Sequence, residues 1–364
     1  MTLFSMHIAV FVLLLWGMRL EKGGFREDFL GKAQCDAIKG LSIAYVFAAH
    51  IVPYMKGGGY ELVHSGDICW KAVTRCTGQL CVVMFLFYSG YGVMESFKKK
   101  GLAYARSMPL RRIGATLLNF DVAVLAFLAL GLALGKRFSL KRILLSFTGW
   151  ESIGNSNWYI FVILLCYAAA WAVFSLRGAK AVAGKKLPCW LCIGAVCAAF
   201  SFALSFCKTS NWYQTTMAFP FGVMVSERRD AFVSFAKRHY RPLLAGAAAL
   251  FLALDVANVV FRSALGVRPL ATLFFYNALS IVFAVLVVLV TMKVKIGNAA
   301  LLWLGANLFP IYIYQRIPMW GFARMMSGGR NIALYIVFCA AATLAIAWLY
   351  RFWRISFSKS VVNA

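Results

Sequence analysis

Apolar residues in this chain run in long uninterrupted blocks, at 3–18, 35–55, 79–97, 112–134, 157–176, 187–206, 212–226, 241–261, 269–292, 300–320 and 331–353. A run of about 20 apolar residues rises far enough as a helix to cross a hydrocarbon layer roughly 30 Å thick. Strict alternation, which would mark the wall of a barrel, is missing. The pattern predicts an all-α fold: a polytopic integral membrane helix bundle of about eleven transmembrane helices, a ten-helix core preceded by one N-terminal helix. The stretch 212–226 is short and carries Pro220, which predicts a broken or re-entrant segment.

Composition narrows the class. With 62% hydrophobic residues, a mean hydropathy of +0.76 and only 14% charged residues, the 364-residue chain is neither an ordinary soluble domain nor disordered. The excess of 38 Lys+Arg over 12 Asp+Glu invites a nucleic-acid reading, but position opposes it. Alternate loops, beginning with 19–34, hold 24 of the 38 cations and the opposite set holds 12, while Lys39 and Arg316 lie inside apolar stretches. The positive-inside rule then sets the N-terminus outside and the C-terminus in the cytoplasm of a cell membrane. No Lys or Arg precedes Arg19, so the first stretch reads as an uncleaved span. The expected organisation is an N-terminal helix with a cytoplasmic linker (1–34), a membrane domain (35–354) and a cytoplasmic tail (355–364). No segment is long enough for a separate soluble catalytic domain.

Ionisable groups inside membrane spans are costly, so each is a candidate for function. His50 lies deep in IKGLSIAYVFAAHIVPY (38–54), with Lys39 eleven residues earlier and Asp36 a turn before that. Eleven helical residues make about three turns, which places Lys39 and His50 on one face about 16 Å apart. A neutral imidazole suits proton abstraction from a hydroxyl near neutral pH. Arg111 and Arg112 open the fourth span just after Arg106 and form a potential phosphate cradle, although basic flanks also serve topology. Ser89 and Gly90 lie between aromatics in FLFYSGY (85–91), where small residues favour close helix approach. Asn157 and Trp158 open the fifth span in NSNWY (155–159), with Trp158 fitting an aromatic belt and Asn157 suited to a sugar hydroxyl. Asp121, Asp255 and Arg316 are intramembrane charges, and Arg316 is expected to find a carboxylate partner in one of the two acids. His7, His64 and His239 lack a charged companion and read as structural or exposed. Cys189 and Cys192 form a C-x-x-C within apolar sequence and read as small buried residues. No metal site is expected, and no P-loop, dinucleotide fingerprint, zincin motif or nucleophile elbow occurs.

This ordered set resembles the acyltransferase 3 family of multi-span membrane acyltransferases. The carriers are KGLSIAYVFAAH (39–50), FLFYSGYGV (85–93), the basic stretch 106–112, NWYIFVILL (157–165) and LGANLFPIYIYQ (304–315), spread over about residues 33–350. The resemblance implies transfer of an acyl group, often acetyl, from cytoplasmic acyl-CoA to a hydroxyl of a carbohydrate or glycolipid, with no permanently bound cofactor. It implies a catalytic role for His50 with Lys39 as its basic partner. Arg106, Arg111 and Arg112 would bind the donor, and Ser89, Asn157, Trp158 and Tyr314 would contact substrate. Two departures stand out: Lys39 occupies a position that is more often Arg, which gives up bidentate phosphate geometry, and Gln315 stands where many relatives have His. A carrier or flippase for polysaccharide or lipid-linked sugar is the competing reading, distinguished by the absence of thiol release.

Overall fold

The computed structural model describes residues 3–77, 79–179, 187–266, 269–323 and 331–356. The N-terminal half consists of α1 (Phe4–Leu15), α2 (Lys32–Gly57), α3 (Ser65–Thr77), α4 (Leu80–Lys100), α5 (Leu102–Met108), α6 (Ala115–Ala133), α7 (Leu140–Phe147) and α8 (Trp158–Ala179). It continues with α9 (Cys189–Ser205), α10 (Ala218–Glu227), α11 (Arg229–Arg238), α12 (Tyr240–Leu265) and α13 (Pro269–Thr291). Three short helices, α14 (Ala299–Ala306), α15 (Leu308–Tyr314) and α16 (Arg316–Gly321), precede α17 (Ile332–Leu349). The two-residue strands β1 (Arg19–Leu20) and β2 (Val294–Lys295) pair antiparallel.

Among the described residues, seven helices are long and apolar enough to cross a membrane. They correspond to the expected spans at 35–55, 79–97, 112–134, 157–176, 241–261, 269–292 and 331–353, which makes the chain a multi-pass helical membrane protein. The other four expected spans differ. The helices α1 and α9 are apolar but only 12 and 17 residues long. The stretch 212–226 contributes a 3₁₀ turn at Ser210–Trp212 and then the ten-residue α10, in keeping with the broken segment expected at Pro220. The stretch 300–320 is three helices, not one. Proline accounts for both of its breaks, because Pro310 and Pro318 lack the N–H groups that would bond the carbonyls of Ala306 and Tyr314. The chain turns at Asn307 and at Gln315, immediately beyond those freed carbonyls.

Lipid tails are as apolar as leucine, so helix association in a bilayer depends on close packing more than on burial. Two helix pairs here touch backbone to backbone through reciprocal glycines. A Cβ on Gly90 of α4 would lie 2.0 Å from the Phe219 carbonyl oxygen of α10, and one on Gly222 of α10 would lie 2.0 Å from the Phe87 oxygen of α4. Between α2 and α14 the same exchange joins Gly40 to the Leu301 oxygen at 2.0 Å and Gly305 to the Asp36 oxygen at 1.8 Å. No side chain fits at any of these four positions. The expectation of close approach at Ser89–Gly90 holds, with Gly90 making it. Aromatics fill the surrounding space: Phe87 packs on Phe221, and Phe97 stacks on Phe174 with ring centres 4.1 Å apart.

Described residues of several cation-bearing connections meet in one layer. Arg26 joins this layer by donating to Gln34 Oε1 and to the carbonyls of Thr291 and Val294. Lys98 donates to the Ser226 carbonyl, and Glu227 accepts from the first amides of α9. At the opposite end Asp67 is fully buried and accepts from the Leu3 amide and from the Tyr60 hydroxyl at 2.8 Å. Asn298 meanwhile donates to the carbonyls of Leu13 and Trp16. The short α1 is therefore held at both ends.

Gly90→Ala or Gly222→Ala is expected to lower thermal stability in detergent by at least about 1–3 kcal/mol through overpacking. Gly92→Ala, whose added Cβ meets nothing within 4 Å, should stay within about 0.5 kcal/mol of wild type; equal melting of all three variants would refute the glycine contacts. Burial and the neighbouring Asp67 carboxylate push the Tyr60 phenol up to about 12. Its folded-state value therefore lies above the unfolded value near 10, so its contribution to stability is complete below about pH 10 and is lost as pH rises through about 12. Melting curves between pH 9 and 12 should show this loss in wild type and not in Tyr60→Phe.

Candidate active site

The helix formed by α5 and α6 is continuous but widens into a π-helical stretch at Pro109–Gly114. Pro109 cannot donate to the carbonyl four residues back, and such bulges reorient the side chains they carry. This bulge carries Arg111 and Arg112, both of which line an internal cavity of ≈ 810 Å³. Arg112 is exposed and part of the cavity wall, and Tyr104 and Tyr167 lie near its guanidinium. Two more cations, Arg351 and Arg354, reach the cavity from the turn that follows α17. A reciprocal amide clamp puts them there: Asn119 Nδ2 donates to the Ile355 carbonyl at 2.8 Å, and the Ile355 amide donates to Asn119 Oδ1 at 2.9 Å. Four arginines thus contribute to the wall of one cavity, the Arg351 guanidinium lying over the Trp348 and Phe352 rings at its edge, and among the described residues no acidic side chain is part of the wall. A rim of this charge attracts anions.

The cavity walls run inward along α8 and α4 to Tyr159 and Ser89, which lie beside each other. Tyr312 and His50 are outside the cavity wall and are joined to it by ring contacts. Tyr159 meets Tyr312 edge-on with ring centres 5.3 Å apart, and Tyr312 lies 6.2 Å from His50. Pro53, three residues after His50, sits within α2 and removes a donor from that helix. Arg316 stands beside His50, Tyr54 and Tyr312, and Ser156 neighbours the Tyr312 hydroxyl.

The polar atoms here are unusual in their bonding. Buried polar groups nearly always have a partner. Yet His50 Nδ1, the Tyr312 hydroxyl, Gln315 Oε1, Arg316 Nε and Ser156 Oγ are all enclosed and unbonded. Their concentration between α2, the α15–α16 break and the loop before α8 marks a place built to bond something else. An imidazole, a phenol and a guanidinium together supply a proton acceptor, a hydroxyl and a fixed positive charge.

Not every candidate joins this arrangement. Lys39 is 3.0 Å from Asp36, which also pairs with Lys32, so its partner is the carboxylate one turn away and not His50. Arg106 is exposed and outside the cavity wall. Asn157 donates to the Gly149 carbonyl at 2.9 Å, closing a turn in which Gly149 has φ +74°. Trp158 packs against the aromatic cluster around Trp212. Tyr314 is buried behind the cavity, accepting from Trp353 Nε1. Ser89, Arg111 and Arg112 do line the cavity. Arg316 has no carboxylate partner among the described residues, so the expected pairing with Asp121 or Asp255 does not form. His7 stacks on Trp70 at 4.2 Å, a packing role. The described cysteines are free, and no group of three or more potential metal ligands occurs among the described residues. Cavity residues not singled out in the sequence include Asn119, Arg351 and Arg354, and Tyr159 appears there only within the NSNWY stretch.

The chain is thus a multi-pass helical membrane protein with an arginine-lined cavity that ring contacts join to a half-buried histidine. The family is definite: the acyltransferase 3 model, described as an acyltransferase domain, matches residues 33–352, and the chain belongs to that family. The match begins beyond α1 and takes in every cavity-lining residue up to Arg351. No curated protein and no solved structure matches the chain.

Asn119→Ala removes both bonds of the amide clamp and should cost about 1–3 kcal/mol of stability. It should also expose the chain after Trp353 to limited proteolysis, as read by cleavage rate in detergent; unchanged cleavage would show that the clamp does not hold this segment.

Proposed function

We propose that the protein transfers an acyl group, acetyl being the simplest case, from cytoplasmic acyl-CoA to a hydroxyl of a cell-surface carbohydrate or its lipid-linked precursor. The observation that carries this reading is the alignment of a four-arginine cavity with Tyr159, Tyr312 and His50. Coenzyme A is a polyanion at one end and a thioester at the other, and it matches a path that is cationic at its mouth and ends at an imidazole.

In this reading the cation-rich end faces the cytoplasm of the cell membrane, and the N-terminus lies outside. Arg111 and Arg112, fixed by the π-helical bulge, bind the donor phosphates together with Arg351 and Arg354. The pantetheine arm follows the wall past Ser89 toward Tyr159. His50 then acts either as the base for the acceptor hydroxyl or as a transient acyl carrier. Lys39 contributes through its ion pair with Asp36, holding the first turns of α2 against α14 where Gly305 meets the Asp36 carbonyl. Arg106, exposed on α5, adds positive charge near the mouth without touching the donor.

Purified protein given acyl-CoA and an extract of surface glycan is expected to release free thiol. His50→Ala should reduce that release at least about a hundredfold, the scale of lost acid–base catalysis. Arg112→Ala should raise the donor KM about tenfold to a hundredfold, matching the roughly 1.5–3 kcal/mol of a charged hydrogen bond. Lys39→Ala should change donor KM less than Arg112→Ala does. Transport of a glycan without thiol release would instead establish the carrier reading.

A further inference from the structure

Arg316 is the one described side chain near His50 that carries a permanent charge, and the acyl-transfer reading so far gives it nothing to do. It follows the α15–α16 break made by Pro318, which points the chain toward α2 and not along a continuous helix. Its positive charge acts on His50, Tyr54 and Tyr312 across the packing of α16 on α2. Its Nε is enclosed without a partner, and no carboxylate pairs with it among the described residues. Arg316 is half-buried, and its enclosed Nε is a fixed donor beside a positive charge that no carboxylate neutralises among the described residues, an arrangement that suits an anion arriving during function. The phosphates are already matched at the other end of the path by Arg111, Arg112, Arg351 and Arg354. The anion that arises next to His50 is therefore one that the reaction itself creates.

We propose, resting on the acyl-transfer reading, that Arg316 is a catalytic residue whose guanidinium N–H groups receive the negative oxygen formed on the thioester carbonyl. When His50 acts as base, the acceptor hydroxyl gives its proton to the imidazole and its oxygen forms a bond to the carbonyl carbon. The carbonyl π pair moves onto oxygen, where Arg316 holds it. Collapse of that tetrahedral centre restores the C=O bond, breaks the C–S bond and expels the thiolate, which takes the proton back from the imidazolium. The products are an ester and a free thiol, with no other reactant consumed. If His50 is acylated first, the same oxygen passes the same guanidinium twice. The enclosed Tyr312 hydroxyl, on a ring 6.2 Å from that of His50, is placed to orient the acceptor.

The test compares wild type, R316Q and R316K in detergent, with acetyl-CoA as donor and a surface-glycan extract as acceptor, following thiol release. R316Q is expected to lower kcat about a hundredfold to a thousandfold, as for the loss of an oxyanion donor. Donor and acceptor KM should stay within about threefold, and the thermal shift caused by coenzyme A itself should be retained, which a merely structural role would not preserve. R316K keeps the charge without the planar fork and should lose about tenfold in kcat; it carries the test if R316Q does not fold. Undiminished kcat in both variants, or a loss confined to acceptor KM as expected of an arginine that binds an acidic sugar, would overturn the inference while leaving acyl transfer intact. Wild-type protein that releases no thiol would overturn the acyl-transfer reading, and the inference with it.

Discussion

Backbone contact through four glycines sets the geometry on which the site depends. In a bilayer there is little hydrophobic gain in moving a helix from lipid to another helix, so two helices stay together when their surfaces interlock. Gly90 and Gly222 let α4 and α10 interlock, and Gly40 and Gly305 do the same for α2 and α14. Each contact adjoins chemistry. Gly90 follows Ser89 on the cavity wall, Gly40 follows Lys39 on the helix that carries His50, and Gly305 precedes the Ala306–Pro310 section of the cavity wall. The helix pairs act as rigid rails, and the polar residues take their spacing from them.

Seven spans were legible in the sequence because a long apolar run admits few alternatives. The broken elements were legible only where proline was weighed. Pro220 announced the short α10, whereas Pro310 and Pro318 lay unread within 300–320, a stretch whose hydropathy alone looks like one helix. The difference is physical: hydropathy reports where a segment sits, while the missing proline N–H decides whether its hydrogen bonds can continue. The apolar stretch 3–18 contains a helix of only 12 residues, which extends about 18 Å and is anchored by bonds beyond its ends.

For the site, charge in an apolar run was the informative signal. It singled out His50, Arg316, Arg111 and Arg112, of which Arg111 and Arg112 line the cavity. It overreached at Lys39, because the face shared with His50 also holds Asp36, and an opposite charge three residues away competes better than an imidazole about 16 Å off. Asn157 and Tyr314 carried the right functional groups for sugar binding, but both spend them on the protein, on the Gly149 carbonyl and Trp353 respectively. Arg351 and Arg354 were hidden for the opposite reason. Their role comes from the long-range Asn119–Ile355 clamp, which has no local sequence pattern.

The anchoring of α1 bears on how the chain is assembled. Its start is bonded to Asp67 and its end to Asn298, residues synthesised respectively soon after it and most of a chain length later. A ribosome feeding the membrane must therefore deliver the greater part of the protein before the first helix can take its final depth. Until then this apolar segment waits with one end tethered, and a chain interrupted before residue 298 would leave it there.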